Sequence, residues 1–318
     1  MINKSRTTVN YVDIPSIQDI SGRIITTMNE KLPIIPNSVT VKTLYGLLSV
    51  DPKRDAKIAS RLLDKESYHQ HQALLLIKKF INENSVVIDA GAHIGTFSIP
   101  LSKWAKKVVS FEPSPDTFKY LEHNSLINDI KNVEAKKLGL GSAPGRASLG
   151  EVQPGNAGSQ MLQDRPGDIV ISTIDAETNE ADLIKIDVEG MEPAVLGGAK
   201  KTFTSNQPVV FLEVNLYALR KHDFSQRDIA KFFKSIGYRM YCCLEIGDRI
   251  VLGKILNTSL LTCLISPRAF FLGGPSLSFD IMASPHNYKM PESVEIFSPL
   301  KTIYFLIKQK IGQKLGKN

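Results

Sequence analysis

The chain has 318 residues, 42% hydrophobic and 22% charged, which supplies a full core and excludes global disorder. The opening MINKSRTTVN has no apolar run behind a basic start, and no run of about 18 apolar residues occurs; the nearest approach, residues 250–265, is broken by Lys254 and Asn257, so neither a secretory signal nor a membrane span is expected. The net charge of +7 reads as a solvated basic surface, because no Arg-rich or aromatic-interleaved stretch points to nucleic acid, and the three cysteines (Cys242, Cys243 and Cys263) fit neither a disulfide framework nor zinc spacing, so a cytoplasmic setting is expected.

The first 84 residues read as helices and loops. The clearest element spans residues 57–81, where Ile58, Leu62, Leu74, Leu75, Ile77 and Phe80 fall near helical spacing, with a break at Ser67. Val86, Val87 and Ile88 then form a short β-branched run, as in a strand buried on both faces. A helix is predicted over 96–106, a strand over 108–111, and a helix over 116–128 with Ser114 as N-cap and Pro115 at its first position. A strand over 133–138 completes a β-α-β-α-β series, which implies a parallel sheet with right-handed crossovers. Residues 139–167, rich in Gly, Ser and Pro, read as a loop or hairpin excursion. Strands follow at 183–186, 208–214 and 238–244, with helices near 193–196 and 225–236. The fold class is therefore α/β, a doubly wound and mostly parallel sheet behind a helical N-terminal segment. The predicted division is 1–84, 85–268 for the sheet domain, and 269–318 for a C-terminal extension.

The first chemical motif ends the strand at 86–88 and opens the next helix: Asp89, Gly91, His93 and Gly95. Glycine permits a sharp turn and close approach by a ligand, and the helix start exposes unpaired N–H groups. Asp89 puts a carboxylate at the strand's carboxyl end, where ligands of open α/β sheets bind and where it suits a ligand's ammonium group. Glu112 ends the next strand, about 20 residues beyond the turn, the spacing at which an acidic residue holds ribose hydroxyls. A dinucleotide site would carry GxGxxG; this chain has GxxxG with a carboxylate beside it, which repels pyrophosphate and suits S-adenosylmethionine, with its amino group and sulfonium.

The second motif places Asp187, Glu189 and Glu192 at the end of the strand over 183–186. Clustered carboxylates at a strand tip mark a candidate functional site, while Glu192 also reads as a helix N-terminal acid. Together, VIDAGAHIGTFS at 87–98, FEPSPDTFKYLEHN at 111–124, LIKIDVEGMEPAVLGGA at 183–199 and FLEVN at 211–215 resemble the FkbM-type methyltransferase family. The resemblance implies a class I, Rossmann-like methyltransferase fold, S-adenosyl-L-methionine as methyl donor, and an oxygen acceptor on a glycan, sugar or natural product. Carried over, it puts Asp89, Gly91 and Gly95 along the methionine part of the donor, Glu112 on the ribose, and Asp187 between donor and acceptor. His93 stands where the family commonly has Asn and reads as a structural hydrogen-bonding residue; Asn215 stands where some members carry His.

A hydroxyl is a poor nucleophile until its proton leaves, so a base is expected, with Asp187, Glu189 and Glu213 as candidate catalytic residues. Asp187, Glu213 and Asn215 also compose an oxygen set for Mg²⁺, an alternative for which the spacing is suggestive but not diagnostic. Competing readings are a nicotinamide-dependent oxidoreductase and an inactive nucleoside-binding scaffold of the same fold. At the C-terminus, Leu300, Ile303, Tyr304, Ile307, Ile311 and Leu315 form one apolar stripe, widened by Phe305 and Leu306, with Lys301, Lys308, Lys310 and Lys314 largely on other faces. A docked helix is expected there, with peripheral membrane contact as the alternative.

Overall fold

The computed structural model describes residues 35–63, 68, 70–163, 165–246, 248–255 and 278–314, with side chains at all of these except 63 and 307–314. Ser67, Cys263 and Leu315 lie outside the described residues.

The described chain opens with an antiparallel hairpin, β1 (Val39–Thr43) and β2 (Gly46–Val50), where only helices and loops were expected. Its stabilisation is non-local. Asn128, which caps the C-terminal end of a helix far along the chain, accepts from Leu47 N–H and donates to Leu47 C=O, and Asn124, on that helix, does the same with Ser49. The helices α1 (Ala56–Leu63) and α2 (His71–Lys78) follow, within the span of the predicted periodicity.

The central series is β3 (Val86–Ala90), α3 (Ser98–Ser102), β4 (Lys107–Phe111), α4 (Pro115–Ile127) and β5 (Val133–Lys136). The helix α3 is shorter than predicted. Beyond Pro100, which has no N–H, Lys103 and Trp104 bond back to Pro100 and Leu101 in tight three-residue turns that end the helix. The excursion is a small four-stranded sheet built from β6 (Gly139–Leu140), β7 (Gly145–Leu149), β8 (Leu162–Gln163) and β9 (Ile169–Ser172).

Next come α5 (Ile174–Glu177), β10 (Leu183–Ile186), α6 (Glu192–Gly197), α7 (Lys200–Asn206), β11 (Val209–Asn215), α8 (Leu216–Lys221), α9 (Gln226–Ser235) and β12 (Tyr238–Ile246). The helix α9 starts with a capping box, Ser225 and Asp228 bonding each other's backbone N–H. The chain continues through β13 (Arg249–Lys254), β14 (Ser278–Pro285), β15 (Ile296–Phe297) and α10 (Pro299–Lys314).

Nine strands form the main sheet in the order β15-β13-β12-β14-β11-β10-β3-β4-β5. From β5 to β11 every pairing is parallel; β14 lies antiparallel between β11 and β12. From β3 the chain steps outward to β4 and β5, then returns to β10 on the other side of β3. That reversal opens a crevice at the carboxyl ends of β3 and β10, where an open α/β sheet binds ligands. Both faces are covered, so alternate side chains enter separate cores: Val87 and Phe211 on one face, Ile88, Phe111 and Leu212 on the other.

The C-terminal helix docks in a phase that only partly matches the predicted stripe. Leu300 is 79% exposed and Tyr304 66%, whereas Thr302 and Leu306 are buried. The sheet sets the phase. Thr302 fills the space above Gly253, Phe305 meets Phe297 edge-on at 6.1 Å, and Leu306 joins the cluster of Cys242, Leu244, Val251 and Phe297.

Candidate active site

A cavity of about 510 Å³ occupies the crevice. One side is the turn after β3. Gly91 has φ 80°, and a Cβ there would lie 1.8 Å from the Asp187 carbonyl oxygen, so the two strand tips approach this closely only because residue 91 is glycine. Glu112, at the tip of β4, is buried; its Oε2 accepts from His93 N–H and its Oε1 from Ser114 N–H, each at 2.9 Å. Those bonds hold the carboxyl in one orientation on the cavity wall and leave lone pairs for a diol. Burial raises its pKa, offset in part by His93. Leu138 and, from the excursion, Leu140, Leu149 and Leu162 add an apolar wall, chemistry that fits a flat base.

Two residues predicted for the donor are not on that wall. Asp89 is fully buried beneath the turn, where Ser98 Oγ donates to its Oδ2 at 2.6 Å and Lys185 Nζ lies 3.2 Å from its Oδ1. The register of β3 against β10 sets Asp89 beside Lys185, so its carboxylate meets that ammonium group rather than a ligand's. Gly95 has φ 94°, and a Cβ there would lie 3.1 Å from Leu121 and 3.2 Å from Ile99; its role is to let α3 and α4 pack closely.

Lys185 was missed, though a lysine inside the apolar run Leu183–Ile186 was its signal. Its Nζ donates to Gly91 C=O at 2.8 Å and lies 3.7 Å from Asp187 Oδ2. Burial alone would lower its pKa, but Asp89 and Asp187 outweigh burial and raise it. This one ammonium group therefore ties the glycine turn to the tip of β10.

The other side of the cavity is acidic. Asp187, Glu189 and Glu213 all line it, together with Asp280 on β14, which the sequence reading did not find. Asp280 stands directly opposite Glu213 in the antiparallel register, a pairing that no local pattern announces. Glu189 sits at φ 50°; burial and the charges of Asp187 and Glu213 push its pKa up to about 8. Asp187 and burial push Glu213 up to about 7, while burial and Glu213 lift Asp280 well above the carboxylate range. Glu192 instead closes the turn from within: it is buried and accepts from Gly190 N–H at 3.0 Å.

Of the oxygen set considered for Mg²⁺, Asp187 and Glu213 line the cavity, and the Asn215 oxygen is engaged elsewhere. Asn215 Oδ1 caps α8, accepting from Tyr217 and Ala218 N–H at 3.2 Å each, and its Nδ2 donates to Glu189. Among the described residues, no three His, Cys, Asp or Glu side chains are grouped to hold a metal. No described helix is long and apolar enough to cross a membrane. Cys242 and Cys243 are free thiols.

Strand order, glycine turn, ribose-spaced acid and acidic far wall together define the class: a Rossmann-like α/β domain of the class I methyltransferase type. Residues 89–240 match the family described as Methyltransferase FkbM domain. It is 31% identical over 156 residues to the hexuronic acid methyltransferase AglP of Haloferax volcanii, covering 47% of this chain and 63% of that protein. It is 26% identical over 150 residues to Methyltransferase 1 of Beauveria bassiana, covering 36% of this chain and 59% of that one. The chain thus spans less than two thirds of either relative. Among solved structures, M. jannaschii TYW2 in complex with AdoMet overlays with a TM-score of 0.40 at 19% identity, covering 80% of this chain and 87% of that chain. The strand order and the family match carry the fold assignment; that overlay does not.

Proposed function

We propose that the chain is an S-adenosylmethionine-dependent methyltransferase that methylates a hydroxyl oxygen on a sugar-class acceptor. The observation that carries this reading is one cavity with two chemically distinct ends: Gly91, Glu112 and the leucine wall at one, and Asp187, Glu189, Glu213 and Asp280 at the other. The first end fits a nucleoside. The second has carboxyl groups tuned near neutrality, as removal of a hydroxyl proton requires.

Methyl transfer from a sulfonium is an in-line displacement: the acceptor oxygen forms the new bond to carbon as the carbon–sulfur bond breaks. The protein's task is alignment and removal of the acceptor's proton. Glu213, near 7, is the base in this reading; Glu189, near 8, is largely protonated at neutral pH and serves as a hydrogen-bond donor to the acceptor. The hexuronic acid specificity in the name of the AglP relative supports a sugar acceptor. Calorimetry with S-adenosylmethionine, S-adenosylhomocysteine and NAD, followed by transfer of labelled methyl to hexuronic acids, hexoses and extracted glycans, tests the reading. Binding of the first two ligands and an oxygen-linked product are expected. Binding of NAD alone, or label appearing only on nitrogen or carbon, would overturn it.

A further inference from the structure

His93 departs from the family pattern, and its partner comes from outside the matched domain. Its Nε2 lies 2.9 Å from Asp55 Oδ2, just ahead of α1; the Asp55 side chain is 4% exposed. Neither Asp55 oxygen receives any hydrogen bond besides this ion-pair contact. A carboxylate buried so sparsely is tolerable only beside a cation. The excursion closes the same edge of the imidazole: a Cβ at Gly158 would lie 3.5 Å from His93 Nε2 and 3.6 Å from its Cδ2. Two backbone bonds, Lys57 N–H to Gly155 C=O and Ala157 N–H to Arg54 C=O, lock α1 to the excursion around it. With the Nε2 edge closed, Nδ1 is the ring nitrogen left for the cavity, whose wall includes His93.

The charges around the ring agree. Asp55, Glu112 at the tip of β4 and Asp187 at the tip of β10 all favour the imidazolium; burial opposes it, and the net pKa is raised. The cations of the cavity wall are Lys185 on β10 and Lys57 and Arg61 on α1, and the excursion residues that line the cavity here, Asn156, Ala157, Gly158 and Gln160, are uncharged.

A methyl donor of the proposed kind has one anionic group, its α-carboxylate. The cavity is otherwise rich in carboxylates that repel it. Of the cations on the wall, Lys185 is committed to Gly91, Asp89 and Asp187, and Lys57 acts on Glu213 at the acidic end, while Arg61 lines the cavity from α1. We propose that Asp55 and His93 form the carboxylate subsite of the donor pocket: Asp55 holds His93 as an imidazolium, and His93 Nδ1–H donates to the donor's α-carboxylate. Asp55 is a positioning residue, and the segment ahead of the FkbM domain is part of the donor site. This inference rests on the S-adenosylmethionine reading above.

The test compares S-adenosylmethionine with its decarboxylated analogue, by calorimetry on the full chain. Wild type is expected to prefer the carboxylated ligand, with the preference shrinking as pH rises through the imidazole's titration. Asp55→Asn should weaken S-adenosylmethionine roughly 10- to 100-fold, the strength of a charge-assisted hydrogen bond, and leave the analogue within about two-fold. Asp55→Asn/His93→Asn, a neutral amide pair, should bind both ligands alike at every pH. Equal weakening of both ligands by Asp55→Asn, or a wild-type preference that does not change with pH, overturns the subsite alone. Wild type that binds neither ligand overturns the donor reading with it. Nitrogen NMR of His93 reports separately on the ion pair, and a neutral ring at pH 7 in wild type overturns the pairing without any ligand.

Discussion

Replacing Lys185 with methionine isolates what one buried ammonium group does for this fold. The side chain keeps its length and loses its charge, so packing against Phe97, now 5.0 Å from Nζ, is largely kept. What remains is Asp89, fully buried, with only Ser98 Oγ to answer it. Breaking a buried pair by removing one partner costs about 3–5 kcal/mol, chiefly through the charge left behind. The bond from Nζ to Gly91 C=O is lost as well, about another 1 kcal/mol. Urea denaturation at pH 7 should therefore show Lys185→Met less stable by about 4–6 kcal/mol. The pH dependence carries the sign. Lys185 has a raised folded pKa, so its contribution in wild type is fully present below the ordinary lysine value and is lost only as pH rises beyond it; between pH 5 and 9 this term is flat. In the variant a carboxylate stays buried without its cation, which favours protonation, so its deficit should shrink toward pH 5. Adding Asp89→Asn should recover much of the loss at pH 7, because an amide needs no counter-ion. A single variant within about 1 kcal/mol of wild type, or a double variant no better than the single, would refute the account of Asp89 and Lys185 as one unit.

Other consequences are simpler to measure. Glu112→Ala removes the oriented acceptor on the donor wall and should weaken S-adenosylmethionine by about 1–3 kcal/mol in calorimetry; unchanged affinity would remove Glu112 from the ribose. Glu213→Gln should lower kcat at least ~10²-fold on a confirmed acceptor. Wild-type kcat should fall as pH drops below about 7, where Glu213 gains its proton, and the variant should lack that limb; a limb that persists assigns the base elsewhere. Leu306→Ala empties a buried position under α10 and should cost about 2–5 kcal/mol in denaturation, whereas Leu300→Ala, on the exposed face, should stay within about 0.5 kcal/mol.

The residues explain which of these features a sequence can announce. The strands β3, β10 and β11 are covered on both faces, so each reads as an unbroken apolar run. The strand tip, glycine turn and acid at the next tip form a local unit whose spacing carries the ligand chemistry, which makes Gly91 and Glu112 legible. Asp187, Glu189 and Glu213 are legible because charges crowd the ends of apolar runs. What stayed hidden depends on pairing between distant segments. Asp89 faces Lys185 only through the register of two strands nearly a hundred residues apart in sequence. Asp280 reaches Glu213 through an antiparallel strand that has no signature of its own. Asp55 meets His93, and the hairpin meets Asn124 and Asn128, through side chains whose partners no window of sequence contains. The phase of α10 was legible only in part for the same reason: Phe305 and Leu306 dock as the widened stripe implied, but the floor beneath the helix, Gly253 and Phe297, leaves Leu300 and Tyr304 exposed.

The place of β14 bears on how the chain is made. It is synthesised after β11 and β12, yet it lies between them and joins both. Until it emerges from the ribosome, β11 and β12 each present an open row of N–H and C=O groups, the kind of edge that recruits foreign strands. The last strand to enter the middle of the sheet thus acts as a keystone. It also brings Asp280, so the acidic wall is completed only when that strand is in place. A chain that lacks β14 would leave the edges of β11 and β12 open and the cavity without Asp280, so one strand closes both the sheet and the acidic wall.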